Sequence, residues 1–164
     1  MTISTADLTD DHRHAVQVAQ PIFRDYGGKL AFAGPAQTIK TFEDNSLVRT
    51  ALEEPGEGRI LIVDGGGSMR CALLGDQLAA LGEKNGWNGV IVHGCVRDTA
   101  ILATINLGVK ALAPHPCKSE KKGRGERNTL LKFANIIINP GNYIYADTDG
   151  ILVAEHALSV PAAG

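Results

Sequence analysis

Hydrophobic and polar positions along this chain repeat with two different spacings, and the switches between them mark the elements. Residues 5–16, TADLTDDHRHAV, space their apolar positions behind cap-type residues and predict a short N-terminal helix. Residues 27–42, GGKLAFAGPAQTIKTF, alternate instead, and with Gly34-Pro35 inside they predict strands joined by a turn. Helical spacing returns in NSLVRTALEE (45–54), with Asn45 or Ser46 as the cap and Pro55-Gly56 as the stop. RILIVDGGGS (59–68) opens on a continuous apolar run, the pattern of a strand covered on both faces.

The alternation continues. A helix begins at Gly75-Asp76 and stops at Asn85-Gly86, with Leu78, Ala79 and Leu81 as its buried side. NGVIVHG (88–94) reads as a strand, RDTAILATINLG (97–108) as a helix with Asp98 at its beginning, and VKALAPHP (109–116) as a strand leaving into a polar loop. Residues 130–155 read as successive strands broken at Pro140-Gly141 and Asp149-Gly150, both strong turn signals. Strand–helix alternation in the middle and strands at the end predict one α/β domain over residues 1–164, a layered sheet with helices against one face.

Composition narrows the function classes. A chain of 164 residues buries roughly two-thirds of its unfolded surface and needs no disulfide or metal merely to fold. A net charge of −2 with the signs intermixed gives no basis for binding nucleic acid or a membrane through bulk electrostatics. The 19 glycines punctuate the apolar runs and predict tight turns and close backbone approaches. Cys71, Cys95 and Cys117 are odd in number and form no CxxC, which predicts a reduced, intracellular setting. MTISTADLTDDHRH lacks the basic start and apolar core of a signal peptide, and no apolar run approaches the ~18 residues of a membrane span, so a cytoplasmic protein is expected.

Candidate chemistry concentrates in three places. In VDGGGS, Gly65 and Gly67 give G-x-G, but Arg70 stands where a dinucleotide fingerprint needs its third glycine. These glycines instead predict close approach of another backbone, a ligand or a neighbouring subunit. At 75–78, GDQL, the first N–H groups of a helix offer a seat for a small carboxylate, although Asp76 alone is also a favourable first-turn acid. Arg97 and Asp98 follow a buried strand, at the end where open α/β sheets place ligands. Arg97 offers a bidentate fork and Asp98 a hard oxygen for Mg²⁺ or Mn²⁺; taken singly they also read as a surface ion pair and a helix N-cap. A helix of ~11 residues spans ~16 Å, so a turn and a returning strand would bring the chain back level, and a right-handed crossover allows Asp76 to lie beside Arg97-Asp98. His93 reads as a hydrogen-bonded histidine near the core, and the other histidines share no zinc-like spacing. KSEKKGRGERN (118–128) reads as a solvated loop or the rim of an anion site, without the aromatics of a nucleic-acid platform.

Gly75-Asp76, twenty residues, then Arg97-Asp98 resembles the G-D-x20-R-D signature of the RraA-like family, whose metal-dependent members are class II 4-hydroxy-4-methyl-2-oxoglutarate aldolases. GRILIVDGGGSMRCALLGDQLA, NGWNGVIVHGCVRD, LGVKALAPHPCKSEKKGRGERN and PGNYIYADTDGILV extend the resemblance over nearly the whole chain. It implies a compact α/β sandwich similar to swivelling phosphohistidine domains, assembled as a homotrimer. It implies that Gly75, Asp76, Gln77 and Leu78 hold a substrate carboxylate through backbone N–H groups and that Arg97 contacts substrate. It also implies that Asp98 binds a divalent cation, Mg²⁺ or Mn²⁺, and that Asp76 holds a water on it. The implied reaction releases two pyruvates, with oxaloacetate decarboxylation through the same enolate. The alternative is a non-catalytic regulator that binds ribonuclease E; such members can lack the metal-binding Asp, and this chain retains it. Two departures stand out. The chain is expected to lack the C-terminal extension that brings a further acidic residue to a neighbouring subunit's metal, and Asn142 stands where Asp is usual.

Overall fold

Ile60–Asp64 forms a strand buried along its whole length: Ile60 and Ile62 enter one apolar cluster, Leu61 and Val63 another on the opposite face. That alternation is the period-2 geometry of a sheet covered on both sides. A computed structural model describes residues 3–159. Along the chain run α1 (Thr5–His12), β1 (Val16–Val18), β2 (Arg24–Asp25), β3 (Phe32–Lys40), α2 (Ser46–Glu53), β4 (Ile60–Asp64), β5 (Ala72–Leu74) and α3 (Asp76–Lys84). There follow β6 (Gly89–Val96), α4 (Thr99–Leu102), β7 (Gly108–Pro114), β8 (Glu126–Arg127), β9 (Leu131–Phe133), β10 (Ile136–Ile138), β11 (Tyr143–Asp147) and β12 (Gly150–Ala154).

These elements make a single α/β domain around a mixed sheet in the order β1-β12-β11-β3-β4-β6-β7-β2, with β5 added on β6 and β8 on β3. The centre, β3-β4-β6-β7, is parallel, and β11, β12 and β1 continue it antiparallel. One face packs Leu61, Val63, Val90, Val92 and Val109 against Val48 and Leu52 of α2 and Leu78 and Ala79 of α3. The other packs Ile60, Ile62 and Ile91 against the β9–β10 hairpin and the inner residues of β11 and β12. Helices cover one face, as the pattern predicts.

Three local expectations are corrected. Gly34-Pro35 is not a turn: β3 runs unbroken, pairing with β11 up to Pro35 and with β4 from Ala36 onward. Proline, which has no N–H to donate, stands where the pairing changes edge. The predicted helix over 97–108 lasts only from Thr99 to Leu102. β-branched Thr104 and Ile105 and then Asn106 continue it poorly. The Ile105 and Leu107 carbonyls accept instead from Gly28 and Lys29 N–H. Finally, Val16 belongs to a strand rather than to the N-terminal helix, which ends at His12 and is capped by Ser4 Oγ accepting from Asp7 N–H at 3.1 Å. Asn142 only closes a turn, its Oδ1 accepting from Asn139 N–H at 2.8 Å. The last five residues, on which the missing-extension expectation partly bears, lie outside the described residues.

Candidate active site

β5 is what joins the two halves of the site. The buried run Ala72–Leu74 pairs parallel with β6, Leu74 in register with Val96, and Arg97 N–H donates to Leu74 O at 2.9 Å. Gly75-Asp76 and Arg97-Asp98 therefore leave neighbouring strands side by side, at the C-terminal edge of the parallel strands where α/β sheets place ligands. Asp98 sits at φ 57°, a left-handed conformation that Asp tolerates better than most residues. Its carbonyl accepts from Ile101 and Leu102 N–H, so its backbone does begin α4. Its side chain makes no cap there. It crosses instead to the start of α3, where Oδ2 accepts from Asp76 N–H at 3.1 Å. The carboxylate thus lies on the positive end of the other bracketing helix.

Gly75 is required by space rather than by its backbone angle. Its φ of −131° suits any residue, but a Cβ there would lie 2.7 Å from Asp98 Oδ2 and 3.4 Å from Arg97 Cγ. The Arg97 guanidinium approaches only Pro116 O, at 3.4 Å, and forms no ion pair among the described residues, so it is not a surface salt bridge. The N–H groups of the 75–78 turn are not all free. Asp98 takes that of Asp76, and Asp76 Oδ1 takes that of Gln77 at 2.9 Å. The first intrahelical bond, Ala79 N–H to Gly75 O, comes only after Leu78.

Gly75, Asp76, Gln77, Leu78, Arg97 and Asp98 line one cleft of about 330 Å³, within the range of small-ligand sites. The opposite wall is made by Asn45, Arg49, Lys118, Ser119 and Lys121. The lysines come from the 118–128 run, which rims the cleft rather than merely facing solvent; nothing in the sequence singled out Arg49. Asn45 Oδ1 is buried without a hydrogen-bond partner, the condition a polar ligand relieves. Four cations and two carboxylates in the lining leave the cleft electropositive and suited to a small dianion. Asp98 Oδ1 and Asp76 Oδ2 remain as hard oxygen donors. Among the described residues no three His, Cys, Asp or Glu side chains converge. Such a donor set fits Mg²⁺, which keeps several waters, better than Zn²⁺, which wants three or four protein ligands.

Other candidates are structural. Gly65 and Gly67 N–H both donate to His93 O at 3.1 Å, so the glycine-rich loop is closed on another backbone and its donors are not free for phosphate. His93 stacks on Phe133, 4.8 Å between ring centroids, and faces Asp64 at 3.4 Å. Burial alone would raise the Asp64 carboxyl, but bonds from His93 and Gly66 N–H hold it below its ordinary range. Cys71, Cys95 and Cys117 are unpaired; burial pushes the Cys71 and Cys95 thiols up. No helix among the described residues is long and apolar enough to cross a membrane.

A family model described as RraA-like, Aldolase/RraA, matches residues 5–153. A protein of Alkalilimnicola ehrlichii provisionally named 4-hydroxy-4-methyl-2-oxoglutarate aldolase is 63% identical over 96% of this chain and 98% of its own. A similarly named protein of Aromatoleum aromaticum is 56% identical over 96% and 99%. A solved structure described as the RNA-processing inhibitor RraA from Thermus thermophilis superposes with a TM-score of 0.94 at 44% identity, over 100% of this chain and 99% of that one. Another, described as an S-adenosylmethionine:2-dimethylmenaquinone methyltransferase from Geobacillus kaustophilus HTA426, gives 0.93 at 47% identity, over 95% and 97%.

Proposed function

The chain belongs to the RraA-like family, and from that membership and the donor set of the cleft we propose that it is a divalent-metal-dependent class II aldolase. Its substrate would be 4-hydroxy-4-methyl-2-oxoglutarate, cleaved between C3 and C4 into two pyruvates. The observation that carries this reading is the Asp98–Asp76 contact, which puts both carboxylates and the Arg97 fork on one electropositive cleft.

A divalent cation held by Asp98, with Asp76 facing it, would supply Lewis-acid stabilisation worth several kcal/mol and a water acidic enough to act as base near neutral pH. The protein does the rest. Asp76 orients the proton acceptor toward the 4-hydroxyl. Arg97, which has no carboxylate partner among the described residues, pairs with the oxygen on which negative charge grows as the bond breaks; a donor of this kind contributes about 3 kcal/mol. The N-terminal turn of α3 receives the substrate's carboxylate at the Gln77 and Leu78 N–H groups, the first taken over from Asp76 Oδ1, while Asp98 keeps the N–H of Asp76. Lys118, Lys121 and Arg49 offset the second carboxylate. Oxaloacetate loses CO₂ to give the same pyruvate enolate, so decarboxylation belongs to the same proposal.

The homotrimer, the likeness to swivelling phosphohistidine domains, the single domain over residues 1–164 and a cytoplasmic setting are also proposed, on the family resemblance. Exposed Phe42 and Met69 offer apolar surface for a subunit contact. A second reading, a regulator that binds ribonuclease E, is favoured by the likeness to a protein described as an RNA-processing inhibitor. Pyruvate release from 4-hydroxy-4-methyl-2-oxoglutarate, with Mg²⁺ and with EDTA, tests the first; capture of ribonuclease E by a chain with no metal-dependent lyase activity would favour the second.

A further inference from the structure

One wall of the cleft is made by the ends of β5 and β6 and the start of α3, the other by the start of α2 and by loop. The loop wall, which carries Lys118, Ser119 and Lys121, has no sheet ladder of its own apart from the single bridge between Ala72 and Lys118. Residues 118–124 carry three lysines and an arginine against one acid, Glu120, which pairs with Lys122 at 3.2 Å, so the loop keeps a net positive charge and is held in place by ties to other elements. That role falls to a residue outside the cleft lining.

Asp44 is 2% exposed, and all of its acceptor capacity is used. Oδ1 accepts from Ser46 N–H at 2.9 Å and Ser46 Oγ–H at 2.6 Å. Oδ2 accepts from the N–H groups of Lys122 at 2.8 Å and Arg124 at 3.1 Å. The surroundings extend the tie. Ser46 Oγ accepts from Gly123 N–H at 3.1 Å, Ser119 Oγ accepts from Asn45 N–H at 3.1 Å, and Thr41 Oγ–H donates to Asp44 O at 2.7 Å. One carboxylate thus binds the first turn of α2 to the loop that faces Arg97 and Asp98.

We propose that Asp44 is a positioning residue: its buried carboxylate clamps the 118–125 loop to α2 and so fixes Lys118 and Lys121 over the cleft. With no lone pair left for metal or substrate, it acts only through the loop. The kinetic consequence rests on the aldolase reading; the clamp itself does not. Asp44→Asn keeps the size but offers one acceptor oxygen, so Ser46 or the two loop N–H groups must lose theirs.

The test uses the full chain and two readouts. Hydrogen exchange at the Lys122 and Arg124 amides should accelerate about tenfold or more in Asp44→Asn, with the central strands unchanged. In pyruvate release with saturating Mg²⁺, KM should rise about tenfold while kcat changes less than about threefold, the signature of lost uniform binding. Glu54→Gln serves as the control. It breaks the Arg127 pair at the far end of α2 (2.7 and 2.9 Å) and should lower stability with KM unchanged. Should Asp44→Asn fail to fold, Ser46→Ala removes one bond to Oδ1 and the Gly123 tie, and should shift both readouts the same way. Unchanged exchange at residues 122 and 124, or a KM that moves equally in Glu54→Gln, would overturn the clamp. A wild-type chain that releases no pyruvate would sink the aldolase reading and leave the clamp to be decided by exchange alone.

Discussion

Replacing Gly75 with alanine isolates the geometry of the site from its chemistry, because no candidate catalytic atom is removed. A Cβ at Gly75 would sit 2.7 Å from Asp98 Oδ2. Ordinary contact begins near 3.4 Å, so the carboxylate must retreat by about 0.7 Å, taking its bond to Asp76 N–H from 3.1 Å to roughly 3.8 Å and out of hydrogen-bonding range. The backbone itself is not strained at φ −131°. Losing a charge-assisted bond at a partly exposed site costs about 1 kcal/mol, or a fall of roughly 2–4 °C in Tm for a chain of this size. The rate should suffer far more, since a misplacement approaching 1 Å in a catalytic constellation costs about 10²-fold. Pyruvate release, coupled to NADH oxidation by lactate dehydrogenase and titrated with Mg²⁺, should show kcat/KM down about 10²-fold and a weaker response to the metal. Gly82→Ala is the matched control in the same helix. Its Cβ would meet the methyls of the buried Leu52 and Leu107, at 3.3 and 3.5 Å, neither of which lines the cleft, and helix propensity favours alanine by about 1 kcal/mol. Activity should be unchanged there. A Gly75→Ala protein with wild-type kcat/KM and wild-type metal activation would refute the claim that Asp98 and Asp76 act at fixed separation.

Asp98→Ala should abolish metal-dependent turnover on both 4-hydroxy-4-methyl-2-oxoglutarate and oxaloacetate, whereas Arg97→Lys, keeping the charge but losing the fork, should fall by ~10²–10³; steady-state kinetics on both substrates checks this pair. Acid should expose the Asp44 clamp. Burial alone would raise that carboxyl, but hydrogen bonds from Ser46, Arg124 and Lys122 hold it at about 2 against an ordinary 3.8. A folded pKa below the unfolded one gives stability that is complete above about pH 4 and lost as pH falls toward about 2, some 2 kcal/mol in all. Urea midpoints of the wild type and Asp44→Asn should therefore differ by a constant amount above about pH 4 and converge below it.

Much of this architecture was legible because it depends on period and punctuation. The run ILIVD read as a doubly covered strand because every residue of it is apolar or ends the strand, and α2 and α3 announced themselves by spacing and stops. Gly34-Pro35 misled because local turn chemistry lost to tertiary pairing: β11 and β4 hold that strand straight from opposite edges. The helix after Asp98 was overextended because the carbonyls of Ile105 and Leu107 are claimed by a segment nearly eighty residues earlier in the sequence. No local pattern carries that information. The convergence of residues 76, 97 and 98 was inferred from helix length and crossover hand, but its direct cause is β5, three residues too short to stand out. The opposite wall was hidden for the same reason. Lys118 and Lys121 reach the cleft through long-range ties, the bridge to Ala72 and the bonds from their loop to Asp44 and Ser46 more than seventy residues away, and a charged run looks alike whether it rims a site or faces solvent.

Titration of ¹⁵N-labelled protein with Mn²⁺, followed by amide NMR spectra, puts the shared site to its most direct trial. Paramagnetic broadening should appear first at the amides of residues 75–78 and 97–99, be displaced by excess Mg²⁺, and vanish in Asp98→Ala. Broadening centred elsewhere, for instance on Asp64 and His93, or broadening that survives Asp98→Ala, would contradict the account.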